Sequence, residues 1–157
     1  EQGYKAQFDI VGSGHDENYF KALVPEQHKS QFIFHGWQDR PAIDLILRNA
    51  YALLFPSIYP EAFGISGIEA MMRGKPVVAF DVGGVSTWLE QNKTGLLVEP
   101  LNQKKYTSAI KEIIDNKTKY KSFSLNARSN ALNYFIEKKH MTKLFNVYSN
   151  IINSNSK

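Results

Sequence analysis

Two glutamates eight positions apart, Glu61 and Glu69, stand in the stretch Pro56-Ser57-Ile58-Tyr59-Pro60-Glu61-Ala62-Phe63-Gly64-Ile65-Ser66-Gly67-Ile68-Glu69-Ala70-Met71. An ionised carboxylate only accepts hydrogen bonds, so either residue suits a ligand rich in hydroxyls. Between them a helix start is expected close to Gly64. There the backbone N–H groups of Phe63, Gly64, Ile65 and Ser66 would lack helical partners and face a ligand. Such a terminus attracts phosphate through its orphan donors and its positive dipole end. Gly64 and Gly67 are expected to let a ligand approach and to let the helix sit close to a sheet. A phosphate cradle between two acidic hydroxyl acceptors outlines a nucleotide-sugar site. Ser57 is read as a residue that caps or pins the loop rather than as a nucleophile.

The elements that must hold this stretch follow from short apolar runs alternating with helical patterns. Strands are expected over Ala6–Val11, Gln31–His35, Ala52–Phe55, Pro76–Phe80 and Leu96–Val98. They are apolar throughout rather than alternating, which suits a parallel sheet covered on both faces by the intervening helices. Helical character fills His15–Lys29 up to the break at Pro25. Asp39 is placed to cap the next helix with Pro41 in its first turn. Further helices are expected over Gly64–Arg73 (ended by Gly74), Ser86–Gln91, Tyr106–Ile114, Tyr120–Phe135 and Glu137–Ile152. Met141, Leu144, Phe145, Tyr148, Ile151 and Ile152 share one face of the last. The expectation is one α/β domain over residues 1–152 and a frayed tail over 153–157. In such a sheet ligands bind beyond the carboxyl ends of the strands. Those ends carry Gly12-Ser13-Gly14, Gly36-Trp37-Gln38, Pro56 through Gly64, and Asp81 through the turn Gly83-Gly84.

Composition narrows the chemistry. The 157 residues are 43% hydrophobic and contain no cysteine, which excludes disulfide scaffolds, thiolate metal sites and thiol catalysis. No apolar run spans a bilayer or has the layout of a signal peptide, and an intracellular address is expected. The four histidines have no metal-ligand spacing, and no metal site is expected. Gly12-Ser13-Gly14 lacks the third glycine of a dinucleotide fingerprint, and no acidic residue ends the second strand. A glycosidase pair would need carboxylates about 5–10 Å apart around a sugar, whereas these straddle a helix start that invites phosphate. The net charge of +4 is uneven: residues 102–157 hold 11 Lys and Arg against 3 Asp and Glu, while residues 1–101 hold 8 against 12. That basic third is either an ordinary lysine-rich surface or a face turned toward an anionic partner. No helix-turn-helix signature or RNP aromatic motif accompanies it, so nucleic acid is not an expected partner.

The E-x7-E spacing set in FPSIYPEAFGISGIEAMMRGKPVVAFDVGG closely resembles the signature of the retaining family 4 (group 1) glycosyltransferases. The resemblance runs from FDIVGSG through FIFHGWQ to TGLLVEP and the final helices. It implies the Rossmann-like, nucleotide-binding C-terminal domain of a GT-B enzyme. It also implies transfer of a sugar from a nucleotide diphosphate with retention at the anomeric carbon, in glycan or polysaccharide synthesis. By the same resemblance, Glu61 contacts the donor sugar and is the candidate catalytic group. The backbones of Phe63 and Gly64 meet the sugar, those of Ile65 and Ser66 meet the diphosphate, and Glu69 holds the ribose. Gly12, Ser13, Gly14, Gly36, Trp37 and Gln38 line the base. No metal or cofactor is implied; the substrate is a UDP- or GDP-sugar.

The family pattern also exposes departures. Its domain normally starts one strand and one helix earlier, with an Arg and a Lys that clamp the diphosphate, so the resemblance implies an N-terminally truncated domain. The acceptor would be held by a missing N-terminal domain, and the fragment alone is expected to be inactive. Thr87 stands where the family often has glutamate after the double glycine. A cytoplasmic enzyme, peripheral at the inner face of an anionic membrane, is the expected setting. The competing class is a non-catalytic nucleotide-binding or scaffold module. A scaffold needs neither glutamate nor glycine-lined turns, and UDP or GDP binding discriminates the two.

Overall fold

The computed structural model describes residues 4–154. The chain divides into two compact units, Glu1–Asn49 and Ala50–Lys157, and every strand pair in them is parallel. In the first unit, β1 (Phe8–Val11) pairs with β2 (Phe32–Gly36) in a register that sets Phe8 against Phe32, whose rings stack 4.8 Å apart. Helix α1 (Glu17–Ala22) and a 3₁₀ turn (Glu26–Gln31) lie between them in sequence, split at Pro25 as expected. Proline lacks the N–H that would continue the helix. Helix α2 (Arg40–Asn49) follows, and the Asp39 carboxylate accepts the Ala42 N–H at 2.9 Å, an N-cap. The first strand differs from expectation in burial. It is not enclosed: Ile10 and Val11, whose side chains point to opposite faces, are 37% and 39% exposed, so neither face of β1 is fully covered at its carboxyl end.

In the second unit the strand order is β3 (Leu53–Phe55), β4 (Val77–Phe80), β5 (Gly95–Val98). The central strand β4 is buried at every residue, which matches its unbroken apolar sequence VVAF. Helix α3 (Ile65–Met72) carries the chain from β3 to β4. The short helix expected over Ser86–Gln91 is a single 3₁₀ turn over Val85–Thr87 instead. The buried Thr94 hydroxyl accepts the Glu90 N–H at 2.9 Å and so takes the donor that would have continued a helix.

Helices α4 (Gln103–Asp115), α5 (Lys117–Tyr134) and α6 (Glu137–Ser154) complete this unit. The core gathers Val78, Phe80, Leu96 and Val98 of the sheet with Tyr106, Ala109 and Ile113 of α4 and Phe123 of α5. Tyr106 donates its hydroxyl to the Val78 carbonyl at 2.8 Å, and burial pushes its acidity well below that of a free tyrosine. Asn116 ends α4 and caps α5, its side-chain oxygen accepting the Lys119 N–H at 2.9 Å. Helix α6 reaches Ser154, so Asn153 and Ser154, expected in a frayed tail, are helical; residues 155–157 lie outside the described residues. No residue of α6 is buried, and Phe145, Tyr148, Ile151 and Ile152 stand exposed along one stripe. Among the described residues no helix is long and apolar enough to cross a membrane.

Candidate functional site

The loop from β3 to α3 carries the acidic and glycine-rich stretch, and the double glycine fixes its path. Gly84 N–H donates to the Glu61 carbonyl at 2.7 Å. A Cβ on Gly83 would stand 2.7 Å from the Glu61 nitrogen and 2.8 Å from the Pro60 carbonyl carbon, closer than real Cβ atoms approach. Only glycine lets the two backbones touch in this way. The Gly83-Gly84 pair, read from sequence as a turn, is therefore also the bed on which the Glu61 segment lies. Thr87, in place of the family's glutamate, donates its hydroxyl to the Gly84 carbonyl at 2.6 Å and braces the same turn.

Glu61 is half-buried and its Oε1 accepts the Ser57 hydroxyl at 3.2 Å, so Ser57 pins the loop as expected. Gly64 occupies the N-cap of α3 with φ +86°, and no side chain caps the helix. The first internal bond runs from the Gly67 N–H to the Gly64 carbonyl at 3.0 Å. Among the described residues the N–H groups of Phe63, Gly64, Ile65 and Ser66 have no acceptor. Ile65 and Ser66 are exposed, so these donors open to the outside. Glu69 lies one turn further along α3 and is half-buried. Its backbone carbonyl accepts Arg73 Nη1 at 2.6 Å, while its carboxylate has no partner among the described residues. The second unit thus brings Glu61, Phe63, Gly64, Ile65, Ser66 and Glu69 together along one loop and one helix end. A free carboxylate and a row of unmatched N–H donors can receive an anionic, hydroxyl-bearing ligand.

Gly67 serves packing instead of ligand approach. A Cβ there would stand 2.6 Å from Cζ2 and Cζ3 of the Trp88 ring. The glycine does let the helix sit close to its neighbours, as expected, but it faces an indole and not a ligand. Trp88 is a residue the sequence reading passed over. It is 1% exposed, and its indole N–H donates to the Phe63 carbonyl inside the candidate site.

The first unit holds the second group of expected residues. Gly12 N–H donates to the Gly36 carbonyl at 2.8 Å, joining the segments Gly12-Ser13-Gly14 and Gly36-Trp37-Gln38 where β1 and β2 end. Gln38 Nε2 donates to the His35 carbonyl at 2.7 Å, which folds this side chain back over the strand end. Trp37 is 75% exposed and presents a flat aromatic face. Below this end, His35 Nε2 stands 2.8 Å from Asp9 Oδ1, and that hydrogen bond holds the Asp9 carboxyl below its ordinary range. Among the described residues no cluster of His, Asp or Glu could hold a metal ion.

Comparison with known proteins gives the chemistry a family context. The family model described as "Glycosyl transferases group 1" matches residues 1–130. The poly(ribitol-phosphate) alpha-N-acetylglucosaminyltransferase of Staphylococcus aureus (strain COL) is 27% identical over 145 residues, covering 91% of this chain and 29% of that protein. Sucrose-phosphate synthase from Thermosynechococcus elongatus superposes with a TM-score of 0.85 at 26% identity, over 98% of this chain and 40% of that one. A point variant of S. aureus TarM, in complex with fondaparinux, alpha-GlcNAc-glycerol and UDP, superposes with a TM-score of 0.81 at 26% identity, over 90% of this chain and 29% of that one. The chain therefore spans less than half the length of each of these relatives.

Proposed function

This chain belongs to the group 1 glycosyl transferases, and from that premise we propose that it forms the donor-binding part of a retaining enzyme that moves a sugar from a nucleotide diphosphate to an acceptor. The observation that carries this reading is the run of unmatched N–H donors from Phe63 to Ser66, set between Glu61 and the unpartnered carboxylate of Glu69. A diphosphate at the start of α3 would take those donors and the positive end of the helix dipole. The same groups would stabilise the charge left on the diphosphate when its bond to the anomeric carbon breaks. Glu69 accepts hydrogen bonds from the ribose hydroxyls. Glu61, held by Ser57 and by the Gly84 N–H, meets the donor sugar and is the catalytic candidate. The segments at Gly12–Gly14 and Gly36–Gln38 would receive the base. UDP is the first nucleotide to try, since the TarM variant is bound to it. No metal or cofactor is assigned a step. The acceptor, the polysaccharide role and a cytoplasmic setting beside an anionic leaflet belong to the same proposal.

The test separates the two glutamates. Losing a charged acceptor for a ligand hydroxyl costs about 1.5–3 kcal/mol, roughly a ten- to hundredfold loss of affinity. Glu69→Ala should therefore weaken UDP binding by that factor in calorimetric titration. Glu61→Ala should leave free UDP almost untouched and lower sugar transfer by the enzyme. Equal losses of UDP affinity in both variants would overturn the division of roles. Absence of both UDP and GDP binding in the unaltered protein would overturn the function.

A further inference from the structure

We propose that Trp88 is a positioning residue of the donor site, acting through the peptide between Phe63 and Gly64; this rests on the donor-site reading above. The indole is 1% exposed, and its N–H donates to the Phe63 carbonyl. Its ring fills the notch left by Gly67 and stands edge-on to the Phe55 ring at 6.2 Å. A Cβ on Gly64 would meet both rings, at 3.3 Å from Phe55 Cζ and from Trp88 Cζ2. Three contacts thus fix one indole against β3, the N-cap of α3 and the first turn of that helix.

The consequence follows from peptide geometry. A trans peptide is planar, and its N–H points opposite to its C=O. Among the described residues no peptide bond is cis. With the Phe63 carbonyl turned inward onto the buried indole, the Gly64 N–H turns away from the core, toward the side where a ligand can reach it. The Ile65 and Ser66 donors follow in the same chain direction. Trp88 touches no ligand in this arrangement. It decides which way the donors face, and by the roles proposed for Gly64, Ile65 and Ser66 the effect falls on the diphosphate and the sugar of the donor rather than on the nucleoside. A buried Val or Leu could fill space here but would leave the Phe63 carbonyl without its donor, free to turn outward and present an oxygen to the phosphate.

The experiment uses Trp88→Phe, which keeps a ring and removes the donor, and Gly67→Ala, which displaces the indole. Leu89→Ala, a buried neighbour 1% exposed with no part in the site, controls for general loss of packing. The first readout needs no nucleotide: hydrogen exchange of the Trp88 indole N–H, with the indole N–H of exposed Trp37 as an internal reference for fast exchange. Trp88 itself should exchange slowly in the unaltered chain. A fast-exchanging Trp88 indole would overturn the proposal without any variant being made. The second readout is the gain in affinity from UMP to UDP. Trp88→Phe and Gly67→Ala should each reduce that gain about tenfold and leave UMP affinity within about twofold, since one hydrogen-bonded peptide is misdirected while the nucleoside contacts stay. Leu89→Ala should leave it unchanged. An unaltered UMP-to-UDP gain in folded Trp88→Phe would overturn the positioning role. Failure of the unaltered protein to bind either nucleotide would overturn the donor-site reading, while the exchange data would still decide whether Trp88 holds the loop.

Discussion

Gly83 shows how a side chain's absence can matter more than any group present. Its backbone lies so close to that of Pro60 and Glu61 that a methyl group has no room, and here the obstruction is main chain, which cannot swing aside. Gly83 also has φ +51°, a conformation that side chains disfavour. Gly83→Ala should therefore displace the Glu61 segment and break the Gly84-to-Glu61 bond. Strain and the lost bond together should lower stability by about 1–3 kcal/mol. Urea unfolding would measure this, and UDP titration would read the accompanying loss of site geometry. An alanine variant with unchanged midpoint and unchanged UDP affinity would show that the loop does not depend on this contact.

Among the elements, α4 and α5 meet at one residue that serves both. Asn116 donates its N–H to the Glu112 carbonyl at 3.1 Å, closing α4, while its side chain accepts the Lys119 N–H to open α5. The φ and ψ of −102° and 86° take the chain out of the helical region for a single position, long enough to change direction. Helix α5 then runs past α3, and its small residues Ala127 and Ala131 are fully buried. Asn116→Ala removes the cap and should cost about 1 kcal/mol, a fall in Tm of about 2–4 °C for a chain of this size. Calorimetry reads the shift. An unchanged Tm would mean that packing of Phe123 and Ala127 alone fixes the start of α5. The opposite logic holds at α3, whose N-terminus carries no side-chain cap: a cap would occupy donors that a ligand can use.

For the molecule as a whole, the basic third is less uniform than its count suggests. Lys105 pairs with Glu99 at 3.0 Å, and Lys119 pairs with Glu112, so two lysines of the basic third are partly neutralised. Lys138, Lys139 and Lys143 accompany the exposed stripe of α6. Under the proposed setting beside an anionic leaflet, these lysines are the groups that would face the lipid. Each lysine near such a surface adds about 1 kcal/mol, and salt weakens the attraction. Co-sedimentation should therefore favour phosphatidylserine vesicles over phosphatidylcholine vesicles at low salt and lose that preference at high salt. Equal sedimentation with both would leave the lysines as solvated surface.

The sequence alone determined the order of strands and helices, because buried parallel strands and amphipathic helices write different periods into the chain, and VVAF or the α6 stripe can be read directly. It also determined the chemical outline of the site: a carboxylate before a helix start, a carboxylate within it, and glycines around them depend only on residue type and spacing. Tertiary structure decided what each glycine is for. Gly67 reads as room for a ligand as well as for close helix packing, and only Trp88, 21 positions away, shows that packing is its use; Gly83 reads as a turn until Glu61 is found on it. It also decided that Ser86–Gln91 is one turn, since the competing acceptor is the hydroxyl of Thr94. These outcomes rest on contacts between segments that share no local pattern, and nothing within either segment records its partner.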